Sequence, residues 1–232
     1  MTRERPSGLY GRRKGHPLRD GQARLMEELL PRLRLPAGPI ADLADLFAQP
    51  PRDLWMEIGF GGGEHLVANA LAHQDIGFIG CEPFVNGMAK AVAAIDQHGI
   101  GNIRLWDEDA GVLLDRLPAA SVARVYLLYP DPWPKKRHFK RRFVSPQNLD
   151  RLARAIRPGG ELRFATDIPS YGDWALRHLA DHPDFTWTAR RADDWRIAWD
   201  GWTSTRYEQK ALAAGRVPNY FIFERASADA QV

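Results

Sequence analysis

Short apolar runs alternate with segments of helical periodicity from about residue 54 to residue 224. Compact apolar runs are typical of buried strands, whereas apolar positions spaced by three and four residues predict helices. The strand candidates are Leu54–Ile58, Ile76–Cys81, Ile103–Trp106, Val122–Tyr129, Glu161–Ala165, Phe185–Thr188 and Asn219–Glu224. Helices are predicted at Glu64–Ala72, Val85–Gln97, Ala110–Leu117, after Ser145, and around Tyr171–Ala180.

The segment after Ser145 carries the clearest helix signal. Serine is a favoured N-cap residue, and Pro146 suits the first helical turn. The apolar face of this helix is predicted at Leu149, Leu152, Ala153 and Ile156. Pro158-Gly159-Gly160 is expected to end the helix, and the next strand follows at once.

Strands that alternate with helices indicate the α/β class, with a doubly wound, mostly parallel sheet of seven strands. Parallel neighbours need helical crossovers, so we expect helices on both faces of this Rossmann-like sheet. The ligand site of such a sheet lies beyond the carboxyl ends of its strands. Residues that directly follow strand ends are therefore the first candidates for function.

The composition is that of a globular protein, with 44% hydrophobic and 26% charged residues in 232. The single cysteine, Cys81, excludes a disulfide framework and fits a reducing compartment. No apolar run reaches membrane-spanning length, and no apolar stretch follows the arginine-rich N-terminus as a secretory signal would require. We therefore expect a cytoplasmic protein.

The positive charge is concentrated in two segments. Residues 1–24 carry seven Lys or Arg against two acids, and Lys135–Arg142 contains six cations in eight residues. Because the whole chain has a formal net charge of only +3, the remaining body has a charge of about −8. Clustered cations on an acidic body favour a polyanion that binds to one surface.

The second basic segment follows an unusual strand end. The strand Val122–Tyr129 runs into Pro130-Asp131-Pro132-Trp133, which places a carboxylate between two prolines and an aromatic ring directly after it. A fixed acid, an aromatic ring and a dense positive patch occur together where an enzyme meets nucleic acid. Trp133 is predicted either to stack on a base or to pack under the loop.

A glycine-rich turn closes the first strand. Glycines at 59, 61 and 63 let the backbone turn tightly and approach a ligand closely. Glu82 ends the next strand, 25 residues after Glu57, where a carboxylate can accept both hydroxyl hydrogens of a ribose. This arrangement fits either a dinucleotide or S-adenosylmethionine.

Two details favour S-adenosylmethionine. The turn has Glu64 where a dinucleotide motif has its third glycine, and a glutamate there faces a pyrophosphate badly. Glu57 suits a ligand with a cationic amine. Asp109, just after the third strand, is predicted to contact the adenine amino group, to cap the next helix, or both.

Eight motifs occur in order between about residue 53 and residue 225. They are Glu57-Ile58-Gly59-Phe60-Gly61, Gly80-Cys81-Glu82, Asp109-Ala110, Pro130-Asp131-Pro132-Trp133, Lys135-Lys136-Arg137-His138, Lys140-Arg141-Arg142, Ala165-Thr166-Asp167 and Thr205-Arg206-Tyr207-Glu208. Together they resemble the bacterial tRNA (guanine-N7)-methyltransferase family. The glycine turn is generic to class I methyltransferases, whereas Pro-Asp-Pro-Trp followed by the basic run is specific. Gly62-Gly63 and Cys81 depart modestly from the family pattern.

The resemblance implies methyl transfer from S-adenosylmethionine to N7 of guanine 46 in the tRNA variable loop. By position, it implies a cofactor site at Glu57, Gly59, Gly61, Glu82, Asp109 and Asp131. It implies substrate contacts at Lys135, Asp167, Thr205, Arg206, Tyr207 and Glu208. Lys136–Arg142 is expected to grip the RNA backbone.

Guanine N7 has a free lone pair and no proton to lose, so its methylation needs alignment and no general base. The methylated base is cationic, and a nearby carboxylate stabilises the developing charge. We therefore predict that Asp131 is catalytic through electrostatics and positioning, without moving a proton.

Plainer interpretations of some residues stay open. Thr205-x-x-Glu208 matches a helix capping box, and Asp167 also suits a turn before Ile168-Pro169. The seven histidines show no ligand spacing and Cys81 fits a core position, so the sequence indicates no metal site.

Three other functions remain as alternatives. Enzymes that methylate the adenine amino group also place an acid and prolines after the fourth strand, but there two prolines usually precede the aromatic residue. A nicotinamide-dependent dehydrogenase is disfavoured by the spacing of the glycine turn. A non-catalytic RNA-binding module would be expected to lack the cofactor acids, which this chain retains.

The predicted organisation is a basic, partly flexible arm at residues 1–40, a methyltransferase domain at 41–225 and a tail at 226–232. Gly11-Arg12-Arg13-Lys14 is expected to grip tRNA phosphate and close near the site. The expected partner is tRNA, without a membrane or a metal, and the sequence leaves a monomer and a homodimer open.

Overall fold

The computed structural model describes residues 10–11, 13–36, 38 and 40–227. Within this part of the chain, one sheet has the strand order β3-β2-β1-β4-β5-β7-β6. Its strands are β1 (Asp53–Ile58), β2 (Ile76–Cys81), β3 (Ile103–Trp106), β4 (Val122–Leu128), β5 (Ile156–Thr166), β6 (Phe185–Trp187) and β7 (Asn219–Arg225). β1 to β5 pair in parallel, and β7 is antiparallel to both β5 and β6. The predicted α/β class with a mostly parallel sheet of seven strands is confirmed.

Helices cover both faces of the sheet. They are α1 (Asp20–Glu28), α2 (Leu30–Leu33), α3 (Glu64–Ala72), α4 (Val85–His98), α5 (Ala110–Arg116), α6 (Pro146–Ala155), α7 (Pro169–Ala180), α8 (Asp193–Arg196) and α9 (Arg206–Ala213). Apolar residues of α5, α6 and α7 share one core cluster, whereas those of α2, α3 and α4 share another. Successive residues of a strand point to opposite faces, so Val125 belongs to the first cluster while Tyr126 faces a third, aromatic one.

The sequence misplaced the junction between α6 and β5. Ile156 was predicted on the apolar face of the helix, but it is the first residue of β5 and pairs with Val122. The register then shifts, so that residues 157–160 bulge out before Glu161 pairs with Arg124. The Pro-Gly-Gly sequence therefore forms a bulge inside the strand, because Ile156 is buried in the same core and starts the pairing earlier.

Residues 20–35 belong to the packed domain, although the sequence assigned them to the arm. α1 packs against α4, and Leu30 and Leu33 are buried in the core cluster that α4 shares. Leu35 N–H donates to the carbonyl of Leu105 on β3. None of the helices in the described residues is long and apolar enough to cross a membrane.

The parallel strands bring the predicted site residues to one edge. Gly59 follows β1, Glu82 follows β2, Asp109 follows β3, Asp131 follows β4 and Asp167 follows β5. Gly87, in the first turn of α4, lies against the carbonyl of Gly61, so the glycine turn and α4 approach with no room for a side chain.

Gly87→Ala should therefore destabilise the protein by about 1–3 kcal/mol, because the new methyl group would collide with the Gly61 backbone. Urea denaturation measures this loss. Gly101→Ala is the matched control, since nothing lies within 4 Å of its Cβ position. Its stability should stay within about 0.5 kcal/mol of the parent. Equal stability of the two variants would contradict this packing argument.

Candidate active site

A cavity of about 600 Å³ opens at the carboxyl edge of the sheet. Of the predicted site residues, it brings together Gly59, Glu82, Asp109, Asp131 and Tyr207. Glu57, Gly61, Lys135, Asp167, Thr205, Arg206 and Glu208 are not among the residues that line it. The cavity therefore joins four strand ends of the sheet to the start of α9.

The glycine turn is held by the Glu82 carboxylate. Gly61 N–H donates to Oε2 at 2.7 Å, and Phe84 N–H donates to Oε1 at 2.8 Å. Gly59 and Gly61 have φ values of +75° and +58°, which glycine adopts without strain. Burial raises the pKa of Glu82 despite these two donors, with smaller contributions from the charges of Asp131 and Glu57.

Glu57 is buried and is not among the residues that line the cavity. Its Oε2 lies 2.8 Å from Nδ1 of His65, and both side chains are almost fully buried. The His65 ring packs against Tyr126 and Trp202. The contact between Glu57 and His65 therefore connects β1 to α3.

The position of Asp109 is compatible with both roles that the sequence predicted, the helix cap and the adenine contact. Its Oδ1 accepts a 2.7 Å hydrogen bond from Gly111 N–H, which caps α5. The residue also lines the cavity. A capping carboxylate keeps acceptor capacity for a second donor, so the two roles are compatible.

The turn after β4 carries Asp131 in an unusual backbone. Tyr129 and Trp133 have φ values of +48° and +43°, a region that bulky residues rarely adopt. Tyr129 N–H donates to the carbonyl of Ala165 on β5 at 2.8 Å. The Asp131 side chain lines the cavity, and partial burial raises its pKa above the ordinary carboxyl value.

Trp133 contacts other aromatic and cationic groups at the cavity mouth. Its ring meets Tyr10 and His138 edge-on, with centroids 6.2 and 6.0 Å apart. The Arg141 guanidinium lies 4.9 Å from the Trp133 ring and 5.0 Å from the Tyr10 ring. Tyr10 belongs to the N-terminal segment, so this cluster connects that segment to the basic one.

The described part of the N-terminal segment lies beside the cavity. Tyr10, Gly11 and Arg13 line it, and Val85 N–H donates to the carbonyl of Arg13. Asn86 at the start of α4 bonds the chain just after this stretch. Its Oδ1 accepts from Gly15 N–H, and its Nδ2 donates to the carbonyl of His16. Arg12 lies outside the described residues.

Glu208 is buried in an aromatic cluster at the start of α9. Its carboxylate accepts hydrogen bonds from Trp202 Nε1 at 2.9 Å, from the Tyr129 hydroxyl at 3.2 Å and from the Tyr220 hydroxyl. Burial raises the pKa of this acid, but the side-chain donors outweigh it and the net pKa is lowered. Thr205 Oγ1 accepts from Glu208 N–H and caps the helix, which is the threonine half of the predicted capping box, whereas the Glu208 carboxylate bonds Tyr129, Trp202 and Tyr220.

The other substrate candidates have different surroundings. Lys135, Arg206 and Tyr207 are exposed, and the Tyr207 ring reaches the cavity above Gly61. Asp167 forms an ion pair with Arg216, just beyond the end of α9.

One residue of the basic segment is almost fully buried, although it belongs to the lining of the cavity. Lys136, Arg137 and Lys140 are exposed on a 3-10 helix (Lys136–Arg141), but Arg142 is only 2% exposed. The expectation that all of Lys136–Arg142 grips the RNA backbone is wrong for Arg142, because its guanidinium is enclosed by aromatic rings and carbonyl groups.

The sequence analysis missed residues that contact the site residues or the segments around them. They are His65, Asn86, Trp199, Trp202 and Tyr220. They share no motif with the strand ends. The high frequency of tryptophan between residues 187 and 202 is the one feature of the sequence that indicates an aromatic cluster. Among the described residues, no group of three or more His, Cys, Asp or Glu side chains is placed to hold a metal ion.

Comparisons with known proteins show the family of the chain. The family model Methyltransf_4, described as "Putative methyltransferase", matches residues 51–219. The tRNA (guanine-N(7)-)-methyltransferase of Azorhizobium caulinodans is 54% identical over 96% of each chain. The protein of the same name from Rhizobium meliloti is 55% identical over 94% of this chain and 95% of its own. The chain belongs to the tRNA (guanine-N7)-methyltransferase family.

Solved structures with little sequence similarity share the fold of this methyltransferase family. An rRNA methylase from Streptococcus thermophilus superposes with a TM-score of 0.51 at 13% identity, over 80% of this chain and 92% of that one. TrmN from Thermus thermophilus gives 0.54 at 18% identity, over 88% of this chain and 48% of that one.

Glu208→Gln should lower the free energy of unfolding at pH 7 by about 1–3 kcal/mol, because an amide leaves one of the buried donors without an acceptor. The pKa of Glu208 is lowered on folding, so the carboxylate stabilises the protein above its ordinary pKa near 4.3. That stabilisation is lost as the pH falls through the lowered pKa. The difference between wild type and variant should therefore be constant from about pH 5 to 8 and shrink below about pH 4.

Urea denaturation across this pH range measures the difference. Glu224→Gln on the exposed face of β7 is the control and should stay within about 0.5 kcal/mol of wild type. If Glu208→Gln were as stable as Glu224→Gln, the buried carboxylate would not stabilise the protein.

Proposed function

We propose that the protein transfers a methyl group from S-adenosylmethionine to N7 of guanine in tRNA, at position 46 of the variable loop, and forms 7-methylguanosine. Its relatives at 54–55% identity have the name of this activity. One observation of the structure carries the proposal: the Asp131 turn lies between the acids at the strand ends and the basic 3-10 helix.

The residues at the strand ends fit the methyl donor. The cavity volume of about 600 Å³ is within the range of small-molecule sites. No atom lies within 4 Å of the Cβ position of Gly59, so the backbone of the turn is open to a ligand. Each Glu82 oxygen has accepted one backbone donor and keeps a lone pair for a ribose hydroxyl.

Glu82 would hold the ribose, Asp109 the adenine amino group, and Asp131 the methyl-bearing end. Gly59 and Gly61 give the backbone its close approach. When bound, S-adenosylmethionine supplies an electrophilic methyl group on a sulfonium. Glu57 supports this site through His65, because its buried carboxylate lies 2.8 Å from Nδ1 of that ring.

Asp131 stabilises charge and needs to move no proton. The lone pair of guanine N7 would take the methyl group as the methyl–sulfur bond breaks and leaves its electron pair on the sulfur of S-adenosylhomocysteine, so the positive charge would move from the sulfonium to the guanine ring. A carboxylate at the cavity wall lowers the energy of that developing charge. Placement of the two reactants contributes the larger share of the rate, up to about 7–11 kcal/mol in ideal geometry.

The tRNA side of the site consists of exposed cations. Lys135 is the first cation after the Asp131 turn, and Lys136, Arg137 and Lys140 are exposed next to it. Arg141 lines the cavity between two aromatic rings, so its guanidinium group is suited to a phosphate that enters the cavity mouth. Arg206 and Tyr207 reach the substrate at the start of α9, while Thr205 and Glu208 hold that helix end.

The rest of the predicted organisation is also a proposal. We place the phosphate-binding arm before α1, because residues 20–35 pack onto the domain. Asp167 acts through its ion pair with Arg216, which fixes the end of β5 relative to α9. We expect a cytoplasmic enzyme, because its proposed substrate is tRNA.

Incubation with methyl-labelled S-adenosylmethionine and unmodified tRNA, followed by nucleoside analysis, tests the reaction. Label should appear in 7-methylguanosine, and a tRNA with adenosine in place of guanosine 46 should accept none. Label in methyladenosine would support methylation of the adenine amino group instead. Binding of tRNA without any transfer would support a non-catalytic RNA-binding module.

Asp131→Asn should lower kcat by about 10²–10³, because an amide cannot stabilise the cationic base as a carboxylate does. The wild-type rate should be flat from about pH 6 to 9, since no general base titrates there. It should fall on the acid side at a pH above the ordinary carboxyl pKa, because the pKa of Asp131 is raised and protonation removes its charge.

Steady-state rates across this pH range check both statements. Asp96→Asn, an exposed acid near the end of α4, is the control and should retain the wild-type rate. A rate that rises tenfold per pH unit between pH 6 and 8 in wild type but not in Asp131→Asn would indicate a general base at Asp131.

A further inference from the structure

The Asp131 turn needs support from outside its own chain segment. Tyr129 and Trp133, two residues to either side of the carboxylate, both have positive φ values. Bulky residues persist in this region only where the surrounding structure holds them. Side chains from other segments must therefore hold the turn, since Asp131 has to keep one position for the reaction.

Arg142 holds the turn directly. Its Nε donates to the carbonyl of Pro132 at 2.9 Å, next to Asp131. Its Nη1 donates to the carbonyl of Ser170 in the first turn of α7 at 2.9 Å, and Nη2 donates to Ser170 Oγ at 3.4 Å. One guanidinium group thus joins the turn after β4 to the helix after β5.

Aromatic rings fix the guanidinium group in this orientation. Its central carbon lies 3.8 Å from the ring centroid of Phe139, 4.8 Å from that of Tyr171 and 5.3 Å from that of Trp174. In the described part of the chain, no carboxylate lies within 4.0 Å of it. The cation is therefore balanced by carbonyl groups and ring faces, which suits the flat fork of arginine and not the ammonium of lysine.

Arg142 and its neighbour Arg141 differ in how far their side chains are buried. Arg141 is partly exposed at the cavity mouth, whereas Arg142 also belongs to the cavity lining but is 2% exposed, and three of its five N–H donors bond Pro132 and Ser170. Two adjacent arginines in the same basic motif thus face different environments. The first is accessible to a phosphate and the second is not.

A second anchor holds the other end of the turn. The Tyr129 hydroxyl donates to the buried Glu208 carboxylate, and Tyr129 N–H donates to Ala165. The turn is therefore fixed to α9 at its start and to α7 near its end.

We propose that Arg142 is a positioning residue for methyl transfer: it ties the Pro132 carbonyl to α7, sets the position of Asp131 and makes no contact with tRNA. The proposal rests on the proposed function, because Asp131 matters only if the base is methylated beside it. It departs from the sequence-based expectation that the whole basic segment binds RNA backbone.

Arg142→Lys and Arg141→Lys, with Arg141→Met as the charge-removing variant, form a matched test. For Arg142→Lys we expect kcat to fall about 10- to 100-fold, with the KM for tRNA within about twofold of wild type. The slope of log Kd for tRNA against log salt concentration should be unchanged. For Arg141→Met that slope should decrease in magnitude by about 0.7–0.9, the value for one lost phosphate contact, while Arg141→Lys retains it.

Two results would overturn the proposal: a wild-type kcat for Arg142→Lys, or a salt slope reduced as in Arg141→Met. Thermal unfolding shows whether Arg142→Lys is folded. If it is not, Phe139→Leu decides, because it removes the closest ring without stranding a buried charge. It should lower kcat about three- to tenfold at an unchanged salt slope, and a wild-type kcat in this variant would also overturn the proposal.

The wild-type enzyme separates this inference from the function on which it rests. If wild type fails to label 7-methylguanosine in tRNA, the proposed function fails. If wild type methylates tRNA and Arg142→Lys does so at the same rate, only the role of Arg142 fails.

Discussion

Parallel pairing of β1 with both β2 and β4 is the constraint on which the site depends. The pairs Glu57–Gly80 and Glu57–Tyr126 fix the three strands in register, so their ends reach the same edge of the sheet. Side chains that follow those ends converge although they are tens of residues apart in sequence. The backbone has to leave each strand through a tight turn, and those turns need support.

Buried ionic groups provide that support. Glu82 bonds two backbone N–H groups of neighbouring turns, Glu208 bonds the hydroxyl of Tyr129, and Arg142 bonds the carbonyl of Pro132. A buried charge is costly unless its hydrogen bonds are satisfied, so each group permits few arrangements of its partners. This requirement gives the turns a defined position, which methyl transfer to guanine N7 needs more than it needs a proton acceptor.

The sequence predicted the strand ends well, because their signals are local. The bounds of β2 and β3 follow from apolar runs alone, and Gly59, Glu82, Asp109 and Asp131 follow from the strand ends. It did not predict which charged side chains are buried. Arg142 is buried because of Ser170 and Trp174 on α7, and Glu208 because of Tyr220 on β7. Such partners are set by tertiary packing, which motif spacing does not encode.

The same limit explains why residue type alone is a poor guide to role at this site. Acids that line the cavity, such as Asp131, lie at strand ends, whereas its cations, Arg13, Lys140, Arg141, Arg142 and Arg151, come from segments outside the sheet. Under the proposed function, this separation suits a cationic methyl donor held by the sheet and a polyanionic tRNA held by the flanking segments. Charged side chains that are almost fully buried have a structural role instead. They are Glu57, Glu208 and Arg142. Burial and partners therefore distinguish a group that meets the substrate from one that positions it, even between adjacent residues of one motif.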